Sequence, residues 1–200
     1  MLVIALISIR GNHSAMELDL CIKGRRSVRS YLDRTVPKEV IDRLLDAAVW
    51  APSGMNMQPW RFTVIQDREV MDSLSGKTGE LVMKSMPLPE ELKRAFKSGQ
   101  DVVFYGAPLL ILISVPKNPD WRTVNLLDCG LAAQNMFLAA YQEGLGSCFI
   151  GFATALNQVP EVLAGIGIPE DHELIAPLIF GYPRDVPEAK PRAVKVLRWI

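Results

Sequence analysis

Cysteine and histidine are scarce in this chain of 200 residues, which holds three of the first, Cys21, Cys129 and Cys148, and two of the second, His13 and His172. The cysteines are odd in number and none forms a CxxC pair, so neither a disulfide framework nor a zinc site is suggested; three buried thiols of a reducing cytoplasm are the simpler reading. The histidines form no triad or metal set and read as surface residues. An excess of charge is missing too. Lysine and arginine number 22 and so do aspartate and glutamate, so no net field draws nucleic acid or an anionic membrane, and any anion site has to be a local cluster. A membrane span is also lacking. The apolar opening MLVIALISI is far shorter than the roughly 20 residues a spanning helix needs. Its charge follows the apolar stretch where a secretory signal would put it first. Residues 1–15 therefore read as a dispensable extension or a misassigned start, before a single domain over 16–200.

A hydrophobic content of 49% suits one compact domain with a sizeable core. Apolar residues at helical spacing over 17–23 predict a helix stopped by Gly24. Val40, Ile41, Leu44, Leu45, Ala48 and Val49 predict a second, entered at Pro37 and ended before Pro52. A short strand is expected over 61–66 and a helix over 67–75, followed by a polar middle, 76–99, with the character of a lid. The run LLILISV at 109–115 predicts a central strand buried on both faces. Residues 124–143, apolar nearly all round, predict the longest helix and the backbone of a subunit interface. A strand over 147–150, a helix over 156–164 and a strand over 174–180 follow, with Pro177 arguing for an edge or a bulge in the last. The tail, 182–200, is rich in proline yet ends in Leu197, Trp199 and Ile200, as an extended arm docked on another surface would.

Three segments carry candidate chemistry. Arg25, Arg26, Ser27 and Arg29 pack three guanidinium forks and a hydroxyl into five residues after a helix end, a receptor suited to a phosphate monoester. Lys190 and Arg192, in the arm, could close over the same dianion. The loop at 51–60 offers Ser53, Asn56 and Gln58 as donors and acceptors, Gly54 for close backbone approach, and Pro52 and Pro59 to limit the entropy of ordering, a composition suited to reading the edge of a flat polar heterocycle. The turn at 144–152 would present backbone amides to a ligand, but it lacks the G-x-G-x-x-G spacing of a dinucleotide fold. Each has a plainer reading: a solvated basic loop, a connector whose Trp60 plugs the core, a simple glycine turn. Cys148 amid apolar residues reads as packing, not as a nucleophile.

Four motifs, RRSVR at 25–29, APSGMNMQPW at 51–60, the QNM helix running into GLGSC, and GYP followed by KPR at 190–192, together resemble the nitroreductase family of FMN-dependent oxidoreductases over roughly residues 17–193. The resemblance implies an α+β fold with a mostly antiparallel central sheet flanked by helices. It also implies a homodimer that exchanges its C-terminal arms and binds two FMN molecules across the interface. Arg25, Arg26, Ser27, Arg29, Lys190 and Arg192 would take the phosphate and ribityl end. Pro52, Ser53, Gly54, Asn56 and Gln58 would meet the isoalloxazine, partly from the opposite subunit, and a backbone amide near Ile150 and Gly151 would approach N5. Phe149 stands where many relatives carry tryptophan. The implied activity is ping-pong hydride transfer from NAD(P)H to an electron-poor small molecule such as a nitroaromatic or quinone, with the chemistry at the flavin N5 and no acid-base side chain. Readings left open are a dehalogenating or flavin-processing relative, a non-enzymatic FMN-binding or storage protein, and a purely structural dimer.

Overall fold

The computed structural model describes residues 17–200; the expected extension at 1–15, with His13, lies outside them. Its centre is a four-stranded sheet of β1 (Arg61–Ile65), β2 (Leu109–Pro116), β3 (Gly146–Phe149) and β4 (His172–Gly181), in the order β1-β2-β4-β3 with every neighbouring pair antiparallel. The apolar run Leu109–Ile113 that opens β2 follows from its place. Leu109, Ile111 and Ile113 point into one core, Leu110 and Leu112 into the other, as the period of two along a strand requires. Helices α2 (Lys38–Val49) and α5 (Arg122–Gln142) cover the first face, placing Val40, Ile41, Leu44 and Ala48 against Ala132, Ala133 and Met136. Helix α3 (Arg68–Ser85), a 3-10 helix over Gly151–Gln158 and α6 (Pro160–Gly165) cover the second. The fold is α+β in three layers. Trp60 is a core residue, and Cys21, Cys129 and Cys148 are free and buried.

Several expectations need correction. Helix α3 does not stop at Ser75 but runs on to Ser85, and α4 (Glu90–Lys97) follows, so most of the polar middle is helical. Gly76 and Gly79 each cost a helix up to about 1 kcal/mol relative to alanine, but a Cβ on Gly79 would come within 3.0 Å of the Phe96 ring. Packing of α4 on α3 thus overrides propensity. The single helix expected over 156–164 is divided, because Pro160 lacks an N–H and opens a new helix at its first position. Pro177 lies on an inner strand, not an edge. The bulge is at Ile175, between the pairs Ile113–Ala176 and Ser114–Leu174. The Pro177 carbonyl accepts from the Ile150 N–H at 2.9 Å, so its own nitrogen faces the point where β3 has ended and no ladder acceptor is left unserved. His172 opens β4 half-buried, its ring 12% exposed and Nδ1 2.9 Å from the exposed Asp171, so it lies at the surface without being fully open to solvent. Helix α1 (Leu18–Gly24) buries Cys21 alone, leaving Leu18, Leu20 and Ile22 exposed.

Candidate functional site

The arginine segment is laid along β3. The Val28 N–H donates to the Ser147 carbonyl at 3.0 Å, Ser27 bridges to Ser147, and Val28 is buried against Gly146, where a Cβ would lie 2.7 Å from it. Alternation along this extended stretch then sends Arg25, Ser27 and Arg29 the other way. The Arg25 guanidinium lies 5.5 Å from the Phe137 ring centroid, its Nε buried without a hydrogen-bond partner. Burial pushes its pKa below the ordinary arginine value, and Arg192 and Arg26 push it the same way, while Cys148 pulls it back. Arginines crowded in this manner, with one donor unserved, form a receptor for an anion. Arg192 belongs to that group. Lys190 is exposed, and no ion pair or hydrogen bond joins it to the described residues. Arg26 spends Nη1 on the carbonyls of Lys23, Gly24 and Arg25 at 2.6 to 3.0 Å, closing the end of α1.

Arg29 lies 5.9 Å from the Tyr105 ring centroid, in the wall of a cavity of about 640 Å³ that Phe149, Ile150, Gly151 and Phe152 also line. Burial raises the Tyr105 pKa and Arg29 opposes it. Arg25 and Arg26 line a second cavity of about 270 Å³ with Val28, Tyr141 and Gly146. Of the two candidate amides at the strand end, that of Ile150 is spent on Pro177. Gly151 opens the 3-10 helix, where the first N–H groups lack an intrahelical acceptor, and open space surrounds it. Cys148, beside the arginines, has its thiol pKa raised by burial, against Arg29, Ser27 and Arg25.

The loop at 52–58 is elsewhere in the chain. The Gly54 N–H donates to Asp128 at 3.1 and 3.3 Å, and Gly54 lies against Val124, so the loop sits on the first half of α5 while Arg25 sits near Phe137. Nine residues of helix, about 13 Å of rise, separate the two seats. Met55, Asn56 and Gln58 hold φ of 50, 56 and 48°, three of the four left-handed non-glycine residues among those described, the fourth being Tyr105. Such backbone is strained and clusters at binding sites. Ser53 Oγ accepts from the Gln58 N–H, and Asn56 Oδ1 from Gln58 Nε2, both at 3.0 Å, with Asn56 and Gln58 exposed. One chain therefore brings the arginines, Arg192, Ile150 and Gly151 together and leaves Pro52, Ser53, Gly54, Asn56 and Gln58 apart. Among the described residues no group of histidine, cysteine and acidic side chains could hold a metal ion, and no helix is long and apolar enough to cross a membrane.

The sequence model of the nitroreductase family matches residues 22–182. The chain belongs to the nitroreductase family. An FMN reductase (NADPH) of Bacillus subtilis is 31% identical over 185 residues, 87% of this chain and 69% of that protein. The crystal structure of a nitroreductase with bound FMN from Bacteroides fragilis is 30% identical, with a TM-score of 0.78 over 93% of this chain and 98% of its own. A second with bound FMN, from Desulfitobacterium hafniense, is 25% identical, with a TM-score of 0.75 over 90% and 96%. Membership makes the protein an oxidoreductase by kind.

Sequence reasoning passed over Tyr105 in the cavity wall and Asp128 under the loop. With Asn125, Asp128 is one of two polar residues buried in α5, a burial that the sequence alone does not reveal.

Proposed function

We infer that this protein is an FMN-dependent oxidoreductase that takes hydride from NAD(P)H and passes it, in ping-pong turnover, to an electron-poor small molecule such as a nitroaromatic or a quinone. The observation that carries this reading is the buried, unpartnered Nε of Arg25 within a cluster of arginines laid along the edge strand β3. An unserved guanidinium donor fits the phosphate of FMN, which supplies the hydride chemistry when bound.

Each segment then has a task. Arg25, Arg192 and the Ser27 hydroxyl take the phosphate, with Arg26 adding charge. Arg29 is steadied by Tyr105 beside the Ile150–Gly151 corner, where the free Gly151 amide is the donor toward the reacting edge. Ser85 and Met86, at the end of α3, line the same cavity, in keeping with a lid formed from 76–99. Pro52, Ser53, Gly54, Asn56 and Gln58 read the ring edge and come from a second copy of the chain. Their distance from Arg25 within one chain supports this, as do the exposed apolar residues Leu127, Leu131, Trp50 and Met55. Val194, Leu197, Trp199 and Ile200, nearly bare in the single chain, suit an arm laid on that partner, with Lys190 and Arg192 brought over the phosphate. Three free buried thiols fit a reducing cytoplasm.

The visible spectrum of the purified protein, with NADH and NADPH consumption measured against menadione and nitrofurazone, tests cofactor and reaction together. A flavin spectrum with turnover is expected; a yellow protein that consumes neither nucleotide would mark a binder, and a colourless one after reconstitution would sink the reading. Arg25→Ala should lower FMN occupancy on purification and, once saturated with FMN, restore most of the turnover number. Unchanged occupancy in Arg25→Ala would count against the phosphate assignment.

A further inference from the structure

Asp128 has no evident reason to be where it is. It lies in the first half of α5, 4% exposed, in a helix whose buried face otherwise carries mainly apolar side chains such as Cys129, Ala132, Ala133 and Met136. A buried carboxylate is costly unless donors surround it. Its one hydrogen-bond donor among the described residues is the backbone N–H of Gly54, at 3.1 Å from one oxygen and 3.3 Å from the other, and no lysine or arginine pairs with it. A helix selected for packing alone would hold alanine or leucine at this position.

What the carboxylate does is fix one point of the loop. Gly54 is pinned by its amide on Asp128 and by its α-carbon on Val124, where a Cβ would fall 2.6 Å from Cγ1. The residues that follow take left-handed backbone at Met55, Asn56 and Gln58. Within one chain that strain is not offset by burial, because Met55, Asn56, Met57 and Gln58 are all exposed. It is held at its ends: by the tether at Gly54, by the Ser53 hydroxyl accepting from the Gln58 N–H, and by the buried Trp60 beyond. A sequence that strains three exposed residues and buries a carboxylate to hold them is maintaining a shape.

We propose that Asp128 is the positioning residue of the flavin-reading loop: through the Gly54 amide it holds the strained backbone that presents Asn56 and Gln58. It touches neither cofactor nor substrate. The proposal rests on the reading that residues 52–58 meet FMN, and the test separates the two.

FMN affinity is measured by fluorescence titration of the full-length apoprotein for the wild type, Asp128→Ala, Asp128→Asn, Gln58→Ala and the double variant Asp128→Ala/Gln58→Ala. Loss of a hydrogen bond to a charged group predicts about tenfold to a hundredfold weaker binding in Asp128→Ala. Asp128→Asn keeps an oxygen toward Gly54 and should stay within about threefold of wild type, a rescue that a requirement for the buried charge would not give. In the Gln58→Ala background the Asp128→Ala loss should largely vanish, because one residue acts through the other. Should Asp128→Ala fail to fold, Asp128→Leu, which fills the space without an acceptor, takes its place. Wild-type affinity in Gln58→Ala, and in Asn56→Ala measured beside it, would sink the loop reading itself. If Gln58→Ala weakens binding but a folded Asp128→Ala does not, or if the two losses add, or if Asp128→Asn is as weak as Asp128→Ala, the positioning role is overturned and the loop reading stands.

Discussion

The arginine segment and the loop at 52–58 are both polar stretches leaning on α5, yet they are stabilised in opposite ways. The first is sewn into the fold: Val28 is 2% exposed, its amide is paired with β3, and its neighbours alternate outward because an extended chain must alternate. The second is held out from the fold, with a buried carboxylate at Gly54 and buried Trp60 at its ends, and its polar side chains stay exposed at the cost of backbone strain. The difference teaches where each can fail. Damage to the arginine wall should appear as lost stability together with lost cofactor, whereas damage to the loop should cost cofactor affinity with little change in stability.

The largest effect is expected where that contrast is most easily broken. Gly146→Ala puts a methyl group 2.7 to 2.8 Å from three carbons of Val28, a β-branched side chain that cannot swing away. Overpacking of this kind costs about 1 to 3 kcal/mol, which for a domain of this size lowers the melting temperature by roughly 3 to 10 °C. It should also loosen FMN, since the segment must part from β3. Calorimetry and flavin occupancy on the same preparation check both. A variant that melts normally but loses flavin would place the arginine wall in the same class as the loop.

The two regions were unequally legible in the sequence. Three guanidinium groups and a hydroxyl within five residues, and a loop made of Pro, Ser, Gly, Asn and Gln, announce themselves because their composition is unusual in itself. The run 109–115 revealed a central strand because burial on both faces accounts for five apolar residues in a row, Leu109 to Ile113, before Ser114 and Val115. Asp128 stayed hidden because one carboxylate on a helix ordinarily marks a solvent face. The extension of α3 past Ser75 stayed hidden for another reason: the interaction that justifies Gly79 is Phe96, contributed by a helix seventeen residues on. Pro160 was readable as a helix start and was overlooked in favour of periodicity. The separation of loop and arginines along α5 has no signature in one chain's sequence.

A smaller effect sharpens the comparison through pH. Each region holds a buried thiol. Cys129, next to Asp128, is pushed up to about 12 by burial and then by that carboxylate. Cys148 is raised by burial as well, but Arg29, Ser27 and Arg25 oppose the rise. A raised thiol keeps its proton in the folded state when the unfolded chain would release it. Its contribution is thus complete below the unfolded value near 8.5 and is lost as pH climbs toward the folded one. Unfolding free energies from denaturant titrations should fall between pH 8.5 and 10.5, by at most about 1.4 kcal/mol per pH unit for each thiol. Cys129→Ala should flatten that slope more than Cys148→Ala. The reverse order would mean that the arginines do not reach Cys148 as the structure places them.

The smallest effect separates the strain of the loop from the groups it presents. Met55 is 83% exposed and sits at φ 50°, a conformation that costs a non-glycine residue roughly 1 to 2 kcal/mol. Glycine there relieves the strain but gives the unfolded chain more freedom. Met55→Gly should therefore shift stability by less than about 1 kcal/mol, in the favourable direction if at all, and leave FMN affinity where it was. Gln58→Gly relieves the same kind of strain at the same φ but removes a side chain assigned to the ring edge, and its affinity should drop. Equal losses in the two glycine variants would move the binding role from the side chains to the backbone shape, and Asn56 and Gln58 would then matter only for the turn they make.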